Sequence, residues 1–149
     1  ISSDPAEKDV VELVIRLVPG GVCTTYCFEY LNEGDTVRLN GPYGEFRLSD
    51  TDAPMIMIAG GSGMAPIKCL LHQMRNIGST RTAVYFFGAN AESQLFYADE
   101  MRAFENALAD YTYVPVVANP QGEWDGETGL VTDAVARRFD SLSNHEAYL

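Results

Sequence analysis

Basic side chains are scarce in this sequence. Ten lysines and arginines face twenty-one aspartates and glutamates, for a formal net charge of −11 over 149 residues. That deficit argues against a nucleic-acid partner and against docking on an anionic membrane surface. Long apolar runs are missing too: no stretch approaches the ~18 residues a membrane span needs. Nor does the N-terminal region carry the pattern of a secretory signal. Cysteine is limited to Cys23, Cys27 and Cys69. An odd, scattered set makes neither a disulfide framework nor a metal pattern, so a reducing cytoplasm is the expected compartment. Cys23 and Cys27 read as small packing side chains, as does Cys69. Histidine occurs only at His72 and His145, and both read as structural or surface residues. No acid/base pair or nucleophile triad is expected.

What is present is enough apolar material for a core, at 46% hydrophobic residues. The chain begins at Ile1 and stops at the apolar Ala147-Tyr148-Leu149. Both ends are expected to be cuts in a longer sequence.

Residues 1–50 read as β. Val10–Val18 (VVELVIRLV) mixes alternation with β-branched residues, and Pro19-Gly20-Gly21 ends it. Thr24–Leu31 reads as a short helix with Thr24 as its N-cap. Thr36–Asn40 reads as a second strand. A boundary is expected near residues 49–53.

From there strand and helix alternate. Strands are expected at Pro54–Ala59, Thr82–Phe87, Tyr111–Val117 and Glu146–Leu149, with helices at Met64–Ile77, Tyr97–Leu108 and Leu130–Phe139. Pro115 suits a strand near a sheet edge. Repeating βα units imply an α/β fold with a parallel, Rossmann-like sheet covered by helices on both faces.

The stretch Gly60-Gly61-Ser62-Gly63-Met64-Ala65-Pro66 sits where the first of these strands meets a helix. Ligands of open parallel sheets lie at the carboxyl ends of strands. Glycines there remove Cβ atoms, and the helix start offers free N–H groups to an anion such as a dinucleotide pyrophosphate. Pro66 falls in the first helical turn, where its missing N–H costs little. The alternative is a tight turn that binds nothing. The loop lacks the Gly-Lys-Ser/Thr of a P-loop and departs from strict Gly-x-Gly-x-x-Gly. Gly21-Val22-Cys23-Thr24-Thr25 has similar chemistry, or is an ordinary capped helix.

In order along the chain, Gly41-Pro42-Tyr43-Gly44-Glu45-Phe46, then Gly60–Pro66, then Phe96-Tyr97, then Trp124-Asp125-Gly126-Glu127-Thr128-Gly129 resemble the ferredoxin–NADP reductase superfamily. The likeness is nearest to the FAD/NADH domains of sodium-translocating NADH:quinone reductases. The resemblance implies residues 1–50 as the C-terminal part of an FAD-binding β-barrel and 51–149 as an NAD(P)-binding α/β domain with an incomplete C-terminus. It places Ser2 and Ser3 just after an Arg-x-Tyr-Ser/Thr flavin motif, and Val22, Cys23, Thr24 and Thr25 on the flavin pyrophosphate. It places Gly60, Gly61, Ser62, Gly63, Met64, Ala65 and Pro66 on the nicotinamide dinucleotide. A Cys-Gly-x-Pro motif would follow Leu149.

The activity so implied is hydride transfer from NADH to FAD, then single electrons to an iron–sulfur centre held in a further domain or partner protein. Reductase components of oxygenases share every motif above and are the near alternative. A domain that binds nucleotide without turnover is a third reading. The full-length protein would act in the cytoplasm or at the cytoplasmic face of a membrane. Gly88-Ala89-Asn90-Ala91-Glu92-Ser93 follows the second sheet strand and holds no Arg or Lys for a 2′-phosphate, which favours NADH over NADPH. Asn119 faces the same crevice from the third strand. Trp124, the only tryptophan, either covers the adenine or packs its own loop.

Overall fold

A strand is stable only where a neighbour takes up its backbone hydrogen bonds, and that rule divides this molecule. The computed structural model describes residues 1–149. Five strands form one sheet: β1 (Met55–Gly60), β2 (Ala83–Ala89), β3 (Tyr111–Val117), β4 (Glu127–Thr128) and β5 (Glu146–Tyr148). Their order is β4-β3-β2-β1-β5, and every pairing is parallel. Helix α2 (Met64–Asn76) joins β1 to β2, α3 (Ala98–Ala107) joins β2 to β3, and α4 (Val131–Arg138) precedes β5. The strand register sets Gly60 beside Gly88.

Side chains alternate across the sheet, so two cores form. Met55, Met57, Tyr85, Phe87 and Tyr113 pack on one face with Ile67, Leu71, Met74, Met101 and Phe104 from α2 and α3. Ile56, Val84, Phe86, Val114 and Val116 pack on the other with Ala134 and Val135 from α4. β4 covers only Val116 and Val117, so β3 is open on that side along Tyr111–Pro115 and Pro115 costs no ladder bond there.

Residues 1–50 differ from expectation. Neither Val10–Val18 nor Thr36–Asn40 forms a strand, because no segment of the chain pairs with them. The helix starts earlier than expected: α1 spans Val22–Thr25 and continues as a wider π-type turn over Tyr26–Tyr30. Gly21, not Thr24, is its N-cap. The Thr24 hydroxyl is turned to Val18 instead, accepting its N–H and donating to its carbonyl, each at 3.2 Å.

Candidate functional site

The carboxyl ends of β1 and β2 open into a cleft of about 720 Å³. Gly61 and Ser62 form one wall, Gly88, Ala89 and Asn90 the next, and Gln94 and Phe96 close the far side. The fourth wall comes from the N-terminal region, as the strip Val14-Ile15-Arg16. Arg16 is the only charged side chain lining this cleft.

Gly61 adopts φ +52°, a left-handed conformation that side chains with a Cβ seldom take. It opens a tight turn, Gly61–Gly63, that delivers the chain into α2. No side chain caps the start of α2, so its positive end is left facing the loop. At Gly88 a Cβ would lie 3.2 Å from the Val131 Cβ, a tight contact that would press α4 back from β2 by a few tenths of an ångström. Met64 and Ala65 are buried beneath the loop and do not line the cleft. Gly60, Gly63 and Pro66 face away from the main cleft, into a smaller apolar one of about 400 Å³ with Phe46, Ile58 and Leu149.

The rim is ordered by hydrogen bonds. Asn119 donates from Nδ2 to the Asn90 side-chain oxygen at 2.7 Å, and its N–H donates to the Asn90 carbonyl at 2.9 Å. The Asn90 N–H donates to Gln94 Oε1 at 3.1 Å. Glu92 accepts the Gln121 N–H at 3.0 Å.

Trp124 lies outside the main cleft. Its indole N–H donates to the Glu127 carbonyl at 2.9 Å, and its ring occupies the space above Gly126. It packs its own loop. Val22 is 90% exposed, Cys23 is exposed, and Thr24 and Thr25 are half-buried; none of the four lines the cleft.

Ser2 and Ser3 are buried at a different place, where the N-terminal segment meets α2 and α3. The Ser2 N–H donates to the Glu12 carbonyl at 2.9 Å, and its hydroxyl donates to Glu12 Oε1 at 2.8 Å. Burial pushes the Glu12 carboxyl up, but hydrogen bonds from Tyr97, Lys68 and Ser2 outweigh it and hold the group at about 2. The Lys68 ammonium is raised despite its burial by Glu12 and Glu100. The Tyr97 phenol is raised chiefly because it donates to Glu12. Asp4 makes a second tie, accepting from Arg75 and Asn76 at 2.6 Å each.

Sequence reasoning missed Val14, Ile15, Arg16, Gln94 and Phe96 as cleft residues. Arg16 carried one signal, the single cation inside an apolar alternating segment, but nothing in the pattern placed that segment against the glycine loop.

Residues 57–149 match the profile of the oxidoreductase NAD-binding domain. The chain belongs to that family. Residues 1–48 match the oxidoreductase FAD-binding domain. Among relatives of this NAD-binding oxidoreductase chain is the reductase component of propane 2-monooxygenase from Mycolicibacterium goodii, 35% identical over all of this chain and 44% of its own length. A chain of the Na(+)-translocating NADH-quinone reductase of Idiomarina loihiensis is 35% identical over 96% of this chain and 37% of its own. The phenol hydroxylase P5 protein of Acinetobacter pittii is 39% identical over all of this chain and 43% of its own.

The family chain therefore spans less than half the length of these relatives. The crystal structure of an Amycolatopsis cytochrome P450 reductase superposes with a TM-score of 0.80 and 27% identity, over 89% of this chain and 41% of that one. The parallel sheet of the family chain is thus of the ferredoxin-reductase type. No helix in it is long and apolar enough to cross a membrane.

Proposed function

We propose that this chain is the nucleotide-handling part of an NADH-dependent flavoprotein reductase, with residues 1–50 contributing to an FAD domain and 51–149 forming the NADH domain. The observation that carries the reading is the cleft itself. It places the left-handed Gly61 turn, the uncapped start of α2 and the cation Arg16 around one space at the ends of two parallel strands. A pyrophosphate meets three features it needs there: a backbone it can approach, a positive helix end and a guanidinium.

NADH and FAD, when bound, supply the hydride and single-electron chemistry. The protein's residues bind and orient. Gly61 and Ser62 hold the pyrophosphate on α2, Arg16 offsets its charge, and Gly88, Ala89 and Asn90 border the nucleoside. Asn119 braces Asn90. Glu92, two residues past the cleft-lining Asn90, would repel a 2′-phosphate, which favours NADH over NADPH. Thr24, Thr25 and the N–H groups of Val22 and Cys23 stand at the start of α1 as the flavin-phosphate contacts, and Ser2 and Ser3 anchor the segment that leads from the flavin motif. The electron acceptor is an iron–sulfur centre in a further domain or partner protein, at a cytoplasmic site of action. The NADH-quinone reductase chain and the oxygenase reductase components are both consistent with that role.

The test is an absorbance spectrum of the chain after incubation with FAD and desalting, followed by NADH titration. Retained flavin that bleaches on NADH addition upholds the full reading. Saturable NADH binding without flavin retention restricts it to the α/β domain. Binding of neither by a folded chain overturns it.

A further inference from the structure

Lys68 is out of keeping with its surroundings. It lies on the face of α2 that also carries the buried Ile67, Leu71 and Met74, and its side chain is only 5% exposed. An apolar residue there would spare the cost of taking an ammonium out of water. The ammonium is instead fully partnered. It donates to both carboxylate oxygens of Glu12, at 2.9 and 3.0 Å, lies 3.3 Å from Glu100 Oε2, and sits 4.3 Å above the Tyr97 ring. Tyr97 in turn donates its hydroxyl to Glu12 Oε1 at 2.7 Å. Tyr97 holds φ +56°, the only non-glycine residue in the left-handed region. Strain of that kind persists only where surrounding contacts enforce it.

These contacts gather on Glu12, a residue of the N-terminal segment. Its carbonyl is also held, by the Ser2 N–H. Two residues further on, Val14 begins the strip that walls the cleft, and two residues of chain span at most about 7 Å. Val14, Ile15 and Arg16 make no hydrogen bond of their own to the rest of the molecule. The last tie before the strip is therefore Glu12. The far side of the joint is equally close to the cleft: Tyr97 follows Phe96, a lining residue, and Lys68 lies on α2, whose start carries the glycine loop.

We propose that Glu12 and Tyr97, closing on the buried Lys68 ammonium, form an ionic clasp that sets the spacing between the Val14–Arg16 strip and the glycine loop. They act as positioning residues for dinucleotide binding without touching the ligand. The proposal rests on the reading of the cleft as an NADH site. A charged joint suits this task better than an apolar one, because its hydrogen bonds specify one register where apolar packing tolerates sliding.

The test compares Lys68→Met, Glu12→Gln and Tyr97→Phe with the exposed control Arg102→Met in the full chain. Tryptic cleavage after Arg16 is followed by mass spectrometry, relative to cleavage after the exposed Arg38, and NADH affinity is measured by fluorescence titration. Loosening the strip should speed relative cleavage after Arg16 roughly tenfold in Lys68→Met and Glu12→Gln and about threefold in Tyr97→Phe, with no change in the control. The Kd for NADH should rise about tenfold in the first two. Cleavage unchanged in Glu12→Gln and Tyr97→Phe overturns the clasp, even where Lys68→Met fails to fold. Faster cleavage with unchanged NADH affinity overturns the positioning role. Failure of the wild-type chain to bind NADH sinks the underlying reading of the cleft, and cleavage alone then upholds or overturns the clasp.

Discussion

The two parts of this chain contain similar apolar patterns and use them in opposite ways. In residues 54–149 the strand-forming segments find parallel partners, and their side chains fill two cores. In residues 1–50 only Ser2 and Ser3 are buried, while Leu13, Leu17, Val37, Leu39 and Tyr43 stand exposed. The lesson is that alternation of apolar residues states a capacity for pairing. Whether a strand forms depends on a second segment in reach.

The largest effect should come from cutting into the paired half. Phe86 is fully buried between β2 and α4, and Phe86→Ala should cost about 3–5 kcal/mol. Leu39, 59% exposed, is the matched probe of the other half, and Leu39→Ala should stay within about 0.5 kcal/mol. Urea unfolding of both variants measures the contrast directly; equal losses would break it.

Next in size is the junction where both halves meet the cleft. Gly61→Val forces a β-branched residue into φ +52°, a strain of roughly 1–3 kcal/mol, and sets a side chain where the pyrophosphate would rest. NADH binding by this variant should vanish from a fluorescence titration while the circular dichroism spectrum keeps its α/β shape. Arg16→Gln tests the same cleft from its N-terminal wall. Removing that charge should weaken NADH about tenfold and leave the unfolding midpoint unmoved, since Arg16 makes no hydrogen bond or ion pair within the chain. An equal affinity would show that the N-terminal strip borders the cleft without contributing to binding.

The smallest effect concerns the seam near residue 50. Glu146 at the start of β5 accepts from Ser49, from Thr51 at 2.6 Å and from Arg81 at 2.7 Å, and these bonds hold its carboxyl at about 2. A carboxyl lowered from 4.5 in the unfolded chain contributes stability that is complete above that value and is lost as pH falls through about 2. Glu146→Gln should therefore flatten the acid limb of a stability profile between those values and change little at neutral pH. A wild-type acid limb retained in the variant would assign the limb to other carboxylates, Glu12 first among them.

Much of the α/β half was legible because its signals are local. Five apolar residues ending in Gly60-Gly61-Ser62-Gly63 mark a strand, a turn and a helix start, and all three form there. The boundaries differ by a residue or two, and the two-residue β4 was invisible because so short a strand has no periodicity to read. Trp124 was open between ligand and loop, since a lone aromatic in a glycine-rich stretch fits both; its indole N–H donates to the Glu127 carbonyl within that loop. The clasp left no trace. Lys68 and His72 interrupt an apolar helix face in a way that reads as solvent exposure, and their partners Glu12 and Asp4 lie more than fifty residues away.

By itself, then, the sequence determined the βα alternation, the parallel sheet and the glycine loop at the end of β1. Each depends on residues that are neighbours along the chain, through φ preference, helix capping and periodicity. The tertiary structure alone decided which apolar segments become strands, which side of the loop is a cleft, and that a strip from the N-terminal region walls it with Arg16. Those outcomes depend on meetings between distant segments, and pairing and burial reward such meetings only after the fold has brought the segments together.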